Sequence, residues 1–363
     1  MDKIQELSEK IIKARNEYYN LTPKVSDQIY DAWVDELKEL DPDNQAITSI
    51  GAPVAEGSVW SKIKHEIPMG SLNKVNSESE FIDWSNKFKS DIYLITWKLD
   101  GSSMELQYRN GNLIKAISRG DGKIGEDLTK NAKQVPSIPH KLHVPLNINI
   151  RGEIIMKKSV FEEVYKNDYA NPRNTAAGKI RDKKNHGIDC KNLEFLSYDL
   201  HNQKPEFMHE KFEFLHDLGF KTPDYIIGDI NKILEYFKEI NRDKLEYEID
   251  GLVISINDSK ILESFGSKNM KPEGQIAWKF DSQMKESKAL DVIWQVGLSG
   301  RLCPVLIVEP VNIGGVEISR ISLHNLSLFN ELKLWKGCRV LISRRNEVIP
   351  YCEYNLDLEQ NIG

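Results

Sequence analysis

YLITWKLDGSSMELQYRNGNLIKAIS, residues 93–118, is the stretch on which the fold turns. Tyr93 to Trp97 is a β-rich run that leads into Lys98-Leu99-Asp100-Gly101, a lysine at a strand end followed by a turn. Met104 to Tyr108 and Leu113 to Ser118 are two further β-rich runs, and Arg109-Asn110-Gly111-Asn112 between them carries the Asn-Gly signal of a tight hairpin. Strand-like runs recur at Asn147 to Met156, Leu193 to Tyr198 and Leu252 to Ile256, with helical stretches at Lys211 to Leu218 and Asn231 to Asn241. Hairpins mixed with helices in this way predict an α+β domain built on antiparallel sheets.

The chain changes texture on both sides of this region. Upstream, Ile4, Leu7 and Ile11 repeat at helical spacing up to the paired Tyr18 and Tyr19, and Pro23 interrupts the pattern. Ser26 is a candidate N-cap for a second amphipathic run, Ile29, Tyr30, Trp33, Val34 and Leu37. The first ~40 residues therefore read as a helical hairpin closed by Asp41-Pro42-Asp43. Downstream of Phe280 the helical signal fades. Short strands at Asp291 to Val296, Pro304 to Val308, Val316 to Ile321 and Arg339 to Ile342, separated by Gly-rich turns, suit a β-barrel of about 80 residues.

The bulk numbers agree with several domains, since 363 residues exceed one ordinary core. Hydrophobic residues at 40% and charged residues at 29% describe a soluble globular chain. No apolar stretch approaches the roughly 20 residues that cross a bilayer, and MDKIQELSEK has no apolar signal-peptide core, so the cytoplasm is the expected compartment. Cys190, Cys303, Cys338 and Cys352 stand far apart without a C-x-x-C pair and read as reduced thiols, with neither a disulfide framework nor a zinc site. The net charge of -6 argues against indiscriminate coating of nucleic acid. Basic clusters occur at Lys179 to Lys184, Lys268 to Lys271 and Arg344-Arg345, and each read alone is a solvated surface.

A K-x-D-G tetrapeptide alone is weak, arising in on the order of one chain in ten of this length. Here it is followed in order by Arg119-Gly120-Asp121-Gly122, Gly125-Glu126-Asp127, Arg151-Gly152-Glu153, Glu248-Ile249-Asp250-Gly251 and Ala277-Trp278-Lys279-Phe280. Packing does not explain such a series. Together with Lys64-His65-Glu66-Ile67-Pro68-Met69, with Ala170-Asn171-Pro172-Arg173-Asn174-Thr175-Ala176-Ala177-Gly178, and with Leu323-His324-Asn325, it resembles the bacterial NAD-dependent DNA ligases of the covalent nucleotidyltransferase superfamily over almost the whole chain.

The resemblance implies three domains: a helical module binding nicotinamide mononucleotide (1–62), a nucleotidyltransferase or adenylation domain (63–282) and an OB-fold (283–363). It implies an enzyme that seals nicks between 5′-phosphate and 3′-hydroxyl in duplex DNA, using NAD and Mg²⁺ and passing through AMP carried on Lys98. Arg119, Glu153, Ser71 and Leu72 would contact the nucleotide, Lys279 its α-phosphate, and Tyr198 would stack on adenine. Tyr19, Asp27, Tyr30 and Asp31 would hold the nicotinamide half, the module that speaks for NAD over ATP. Arg173, Arg181 and Arg242 fall at phosphate or DNA contacts, and Glu153 and Asp250 are candidates for Mg²⁺. The chemistry suits these residues. A lysine amine attacks phosphorus only when neutral, and with a reference pKa of about 10.4 it must be deprotonated by its surroundings. Nearby cations such as Lys279 favour that and neutralise the phosphate, while Asp100 can orient the amine or hold the ribose.

The sequence departs from the family pattern at Thr96, usually glutamate, at Ser255, usually lysine, at Asn20, often histidine, and at Leu298, usually an arginine beside which Arg301 stands here. The family's four-cysteine zinc finger, helix-hairpin-helix repeats and BRCT domain are not in the sequence. The expectation is a fragment or a naturally short enzyme, acting as a monomer or with its remaining domains on a second polypeptide. The other readings are a non-catalytic or partner-dependent DNA-binding subunit and an RNA-directed covalent nucleotidyltransferase.

Overall fold

The computed structural model describes residues 3–20, 25, 27–48, 52, 60–169, 171–183, 187–280, 284–296, 302–313, 316–323, 326–345 and 349–358. The chain forms two compact units, one of Met1–Lys24 with Trp33–Phe280 and one of Val25–Ala32 with Asp281–Gly363. Two helices, Lys3–Asn20 and Asp27–Leu40, open the chain and the short Gln45–Thr48 follows. Leu7, Ile11 and Ala14 lie along one stripe of the first helix and are buried, as are Leu37 and Ala46. The proposed cap Ser26 lies outside the described residues.

Two large sheets dominate the rest of the larger unit, which also holds the two-stranded pairs of Lys62–Lys64 with Ile124–Glu126 and of Ser267–Lys268 with Lys271–Pro272. The first large sheet has the strand order Asn73–Val75, Gln275–Lys279, Ile249–Ile256, Tyr93–Leu99, Tyr225–Gly228. Its neighbours are antiparallel except for the parallel pair of 73–75 with 275–279. Because side chains alternate along a strand, Tyr93, Ile95, Leu252, Ile254, Ile256, Ile276, Trp278 and Val75 share one face. They form a core with Phe81 and Trp84 of the helix Glu78–Lys87 and Ile233 of the helix Ile230–Glu239. Trp278 is sandwiched there, 4.7 Å from the Phe81 ring and 3.8 Å from that of Phe237. The opposite face carries Lys98, Thr96, Gly251, Ser255, Lys279, Gln275 and Lys74.

The second sheet has the order Asn112–Ser118, Ser102–Arg109, Ile148–Ile155, Glu194–His201, antiparallel throughout. Asn110 and Gly111 both have positive φ, 49° and 74°, as a two-residue hairpin turn of this twist requires. Met104, Leu106, Tyr108, Ile150, Ile154, Phe195 and Leu200 pack on one side with Ala176 and Ile180 of the helix Pro172–Ile180 and with Leu215, Leu218 and Phe220. Ser103, Glu105, Gln107, Asn149, Arg151 and Glu153 occupy the other side. Each sheet thus has an apolar face with its own core and a polar face left for other work.

The smaller unit is one five-stranded antiparallel sheet ordered Val316–Ser322, Leu302–Ile313, Met284–Val296, Arg339–Arg345, Ile349–Asn355. Strand 284–296 pairs through Met284–Lys288 with 339–343 and through Ala289–Val296 with 302–308, so it bends from one partner to the other. The outermost strands approach each other and curl the sheet around Leu306, Val308, Ile318, Ile321, Val340 and Ile342. A short helix, Leu326–Leu332, also sits in this β-region. The α+β reading with a C-terminal OB-type sheet describes what is found. Among the described residues no helix is long and apolar enough to cross a membrane.

Candidate active site

Lys98 ends the strand Tyr93–Leu99, on the polar face of the first sheet. Gly251 stands opposite Lys98, and Lys279 stands opposite Gly251 on the far side. Two lysines therefore flank a glycine, about 10 Å apart at their Cα atoms. The glycine is required, because a Cβ at position 251 would lie 2.2 Å from the Trp278 carbonyl oxygen. One residue earlier the register shifts between Ile249 and Gly251, leaving Asp250 as the extra residue of a bulge. The bulge aims its carboxylate at Lys98, whose Nζ donates to Oδ1 at 2.8 Å and to Oδ2 at 2.6 Å. Both side chains are 29% exposed, so the pair is reachable from solvent.

The second sheet supplies further groups. Glu153, opposite Ser103 on the neighbouring strand, accepts a hydrogen bond from Ser103 Oγ at 2.9 Å. Burial pushes its carboxyl up to about 7, although Ser103 and the charges of Lys98, Arg173 and Arg119 pull the other way. Near neutral pH it can therefore donate or accept a hydrogen bond, as a ribose hydroxyl would require. Tyr198 is again a bulge residue, at the shift between Arg151/Asp199 and Gly152/Ser197. It packs on Leu94, Met208 and Phe212, and burial with the Glu153 charge raises its hydroxyl's pKa.

Asp100 is held by Arg173, Nε to Oδ1 at 3.0 Å, across the turn that Gly101 makes. A Cβ at Gly101 would strike the Ile154 carbonyl oxygen at 2.4 Å and Glu153 Cγ at 2.7 Å. Arg173 reaches this place from the first turn of helix 172–180, which starts with Asn171 as N-cap, its Oδ1 accepting from Asn174 N at 2.7 Å, and Pro172 in the first turn. Arg119 follows strand 112–118 and donates from Nη2 to the Gly70 carbonyl oxygen at 3.1 Å. The half-buried Ser71 and Leu72 come next, with Ser71 N donating to the Met270 carbonyl oxygen at 3.3 Å.

A buried frame lies under these groups. Arg151 Nε and Nη2 meet Glu105 Oε2 at 3.3 and 3.2 Å, Gln107 Nε2 donates to Glu105 Oε1 at 2.9 Å, and His65 Nδ1 lies 3.7 Å from the same oxygen. Burial by itself would raise the Glu105 carboxyl, but the neighbouring His65, the Gln107 hydrogen bond and the Arg151 charge outweigh it and hold it below the usual range. Arg151 also donates to the Ile67 and Pro68 carbonyl oxygens at 2.5 and 3.2 Å, and His65 Nε2 lies 3.0 Å from the Ser118 carbonyl oxygen. These bonds fix the His65–Met69 segment and the strand end that carries Arg119.

The structure gathers Lys98, Asp100, Arg119, Glu153, Arg173 and Asp250 through the contacts above, with Lys279 on the same sheet face. It engages Arg181 with Glu126, Nε to Oε2 at 2.9 Å, and lays the Arg242 guanidinium over the Phe280 ring at 5.1 Å. Tyr30 lies half-buried on helix 27–40, whereas the side chains of Tyr19, Asn20, Asp27 and Asp31, and residues Leu298 and Arg301, lie outside the described residues. Ser103 carries no motif signal of its own, yet it is the group that holds Glu153. The departures Thr96 and Ser255 are diagonal neighbours on the polar face, 7% and 3% exposed, and Gln275 Nε2 donates to Ser255 Oγ at 3.1 Å. A neutral hydrogen-bonded patch stands where the family's pattern has two opposite charges.

The family model of the NAD-dependent DNA ligase adenylation domain matches residues 57–283, and that of the NAD-dependent DNA ligase OB-fold domain matches residues 286–360. The chain belongs to the NAD-dependent DNA ligase family. It is 36% identical over 383 residues to a DNA ligase of Sorangium cellulosum, covering 97% of this chain and 56% of that protein. To a DNA ligase of Natranaerobius thermophilus it is 36% identical over 377 residues, covering 96% and 56%, and to one of Thermosipho africanus 34% over 379 residues, again 96% and 56%. This ligase-family chain spans about half the length of the curated relatives it matches.

Proposed function

We propose that the chain is a NAD-dependent DNA ligase that takes AMP onto Lys98 and uses it to seal nicks in duplex DNA. The observation that carries this reading is the meeting of Lys98 with Asp250 at 2.6 Å beside Glu153, on which the charges of Lys98, Arg173 and Arg119 act together. Asp250 orients the Lys98 amine, whose proton passes to water. Lys98 Nζ then forms a bond to the adenylyl phosphorus of NAD, the bond to the nicotinamide mononucleotide phosphate breaks, and that half leaves. Arg119 and Lys279 neutralise phosphate charge, Glu153 holds the ribose and Tyr198 offers a face for adenine. AMP next moves to the 5′-phosphate at a nick, and the 3′-hydroxyl displaces it, each step an in-line displacement that relies on positioning and charge stabilisation. Mg²⁺, with Glu153 and Asp250 as the carboxylates that would hold it, would supply further neutralisation of phosphate charge.

The division at 1–62, 63–282 and 283–363, a monomer acting on nicked DNA, and the cytoplasm as its compartment belong to the same proposal. The test is gel sealing of a nicked DNA duplex and a nicked RNA duplex, each with NAD or with ATP. Sealing of DNA with NAD is expected. Sealing of RNA alone, or use of ATP alone, would point to an RNA-directed nucleotidyltransferase, and DNA binding without any adenylate would make the chain a non-catalytic subunit.

A further inference from the structure

The polar face of the five-stranded sheet is laid out as a grid, because alternate residues of a strand stand about 7 Å apart and paired residues of neighbouring strands about 5 Å apart. Lys98, Gly251 and Lys279 make one row, Thr96 and Val253 stand in the next, and Ser255 and Gln275 in the third. The middle row is an apolar tile with a hydroxyl at its side: Val253 is half-buried, Ala277 beside it is buried, and Tyr225 stands beyond Thr96. Tyr198 and Tyr225 pack on Leu94, the cross-strand neighbour of Ser255, so aromatic rings border the same tile. A nucleotide whose phosphate meets the lysine row would lay its base over Val253 and turn an edge toward Thr96 and the third row.

The groups at that edge are neutral. Thr96 is 7% exposed, and among the described residues its hydroxyl makes no hydrogen bond. A hydroxyl left unbonded in a nearly closed place costs stability unless something else meets it. Gln275 Nε2 donates to Ser255 Oγ at 3.1 Å, and Ser255 Oγ donates to the Ile256 carbonyl oxygen at 3.3 Å. The oxygen and the second N–H of the Gln275 carboxamide take no part in either bond. A hydroxyl both donates and accepts, and a carboxamide can turn over, whereas a carboxylate only accepts and an ammonium only donates. Ser255 supports the carboxamide in both orientations, its Oγ accepting from Nε2 in one and donating to Oε1 in the other.

We propose that Thr96 and Gln275, with Gln275 held by Ser255, read the edge of the purine, and that this neutral reader accepts a 6-oxopurine nearly as well as a 6-aminopurine. The proposal rests on the ligase reading above. Adenine offers an amino donor at its six-position and an acceptor at N1, and hypoxanthine offers the reverse, an oxygen acceptor and an N1–H donor. A site with fixed donors and acceptors leaves its own groups unpaired against the wrong base and rejects it strongly. Groups that turn over pair with either. The hypoxanthine analogue of NAD is therefore a second nucleotidyl donor for this chain. The Lys98 Nζ–P bond forms, the bond from phosphorus to the leaving mononucleotide's phosphate oxygen breaks with its electron pair going to that oxygen, and the amine proton passes to water. Lys98 then carries IMP in place of AMP.

The test compares wild type with Gln275→Glu and Thr96→Val in two measurements. The first is the rate of nucleotidyl transfer to Lys98 from NAD and from nicotinamide hypoxanthine dinucleotide, with Mg²⁺, followed by intact mass. The second is thermal unfolding with and without AMP or IMP. In wild type the two dinucleotides should differ by less than about tenfold in kcat/KM, where a fixed hydrogen-bonding site would discriminate by about ten-thousandfold. AMP and IMP should raise the melting temperature alike. Gln275→Glu puts an acceptor-only group at the same place, so the preference for NAD should widen by about tenfold or more. Thr96→Val should slow both transfers without lowering the unliganded melting temperature, because the lost hydroxyl bonds nothing in the free chain. Partial unfolding of a variant lowers both rates together and leaves their ratio alone, so the ratio separates reading from folding. A greater difference in wild type, an unchanged ratio in Gln275→Glu, or unaltered transfer by Thr96→Val would overturn the proposal. If wild type takes a nucleotide from neither dinucleotide the ligase reading fails, and the unfolding arm still decides. Stabilisation by AMP and IMP alike supports the base reader, and stabilisation by AMP alone, or by neither, contradicts it.

Discussion

The two large sheets of the larger unit make opposite use of the same arrangement. Each buries one face in an apolar core and turns a charged face away from it. On the four-stranded sheet the charges are closed in: Glu105 is fully buried and held by Arg151, Gln107 and His65. On the five-stranded sheet the corresponding pair, Lys98 with Asp250, stays 29% exposed at each partner and rests on one contact between two groups. A buried network of several bonded groups is a frame, and a half-open pair beside a second lysine is available for reaction. Both sheets carry a bulge beside these groups, at Tyr198 and at Asp250.

Substitutions break this contrast in graded ways. The largest expected effect is on Lys98→Ala, which should abolish adenylation and sealing while changing stability by less than about 1 kcal/mol, since the lost pair is half open to water. Activity and urea denaturation of one preparation check both halves. Glu105→Ala should do the reverse: leaving Arg151 buried without its partner costs about 3–5 kcal/mol, read from the urea midpoint. Glu153→Gln lies between the two. Its carboxyl is raised from 4.5 to about 7 in the folded chain, so the folded state holds that proton more tightly. The resulting stability is complete below the unfolded value and is lost as pH rises through about 7. Glutamine has no such loss, so the variant should be more stable than wild type at pH 8 by up to about 3 kcal/mol, with less difference near pH 4, while its use of NAD falls. Calorimetric or urea series across that pH range decide it. Tyr198→Leu is the mildest, with a roughly tenfold rise in KM for NAD, about the worth of one aromatic stack.

Much of this was readable from the residues. The strands around Lys98 follow from alternation and from Asn110-Gly111, whose positive φ values are those the dipeptide suggests. Local pattern was less informative for helix 172–180, where Thr175, Ala176 and Ile180 are buried among small residues and no clean stripe forms. Helix Glu78–Lys87 had its signal in the Ser77 cap and Glu80, but ten residues give little periodicity to read. In the proposed site, the motif lysines and carboxylates stand out in the sequence, whereas their pairing does not. Lys98 and Asp250 are 152 residues apart and meet through a register shift, and Arg173 finds Asp100 from a different element. Such contacts depend on sheet order and bulges, which no local spacing encodes. The same holds for the bond from Ser71 N to the Met270 carbonyl oxygen, which joins segments far apart in the chain.

The central claim is that the open pair, and not the closed network, is where AMP is stored. Its most direct test is the intact mass of the wild-type chain after incubation with NAD and Mg²⁺, followed by peptide mapping. The account predicts one added AMP, carried on the peptide containing Lys98, and none in Lys98→Ala. A wild-type chain that gains no AMP from NAD, or that carries it on another residue, would contradict it.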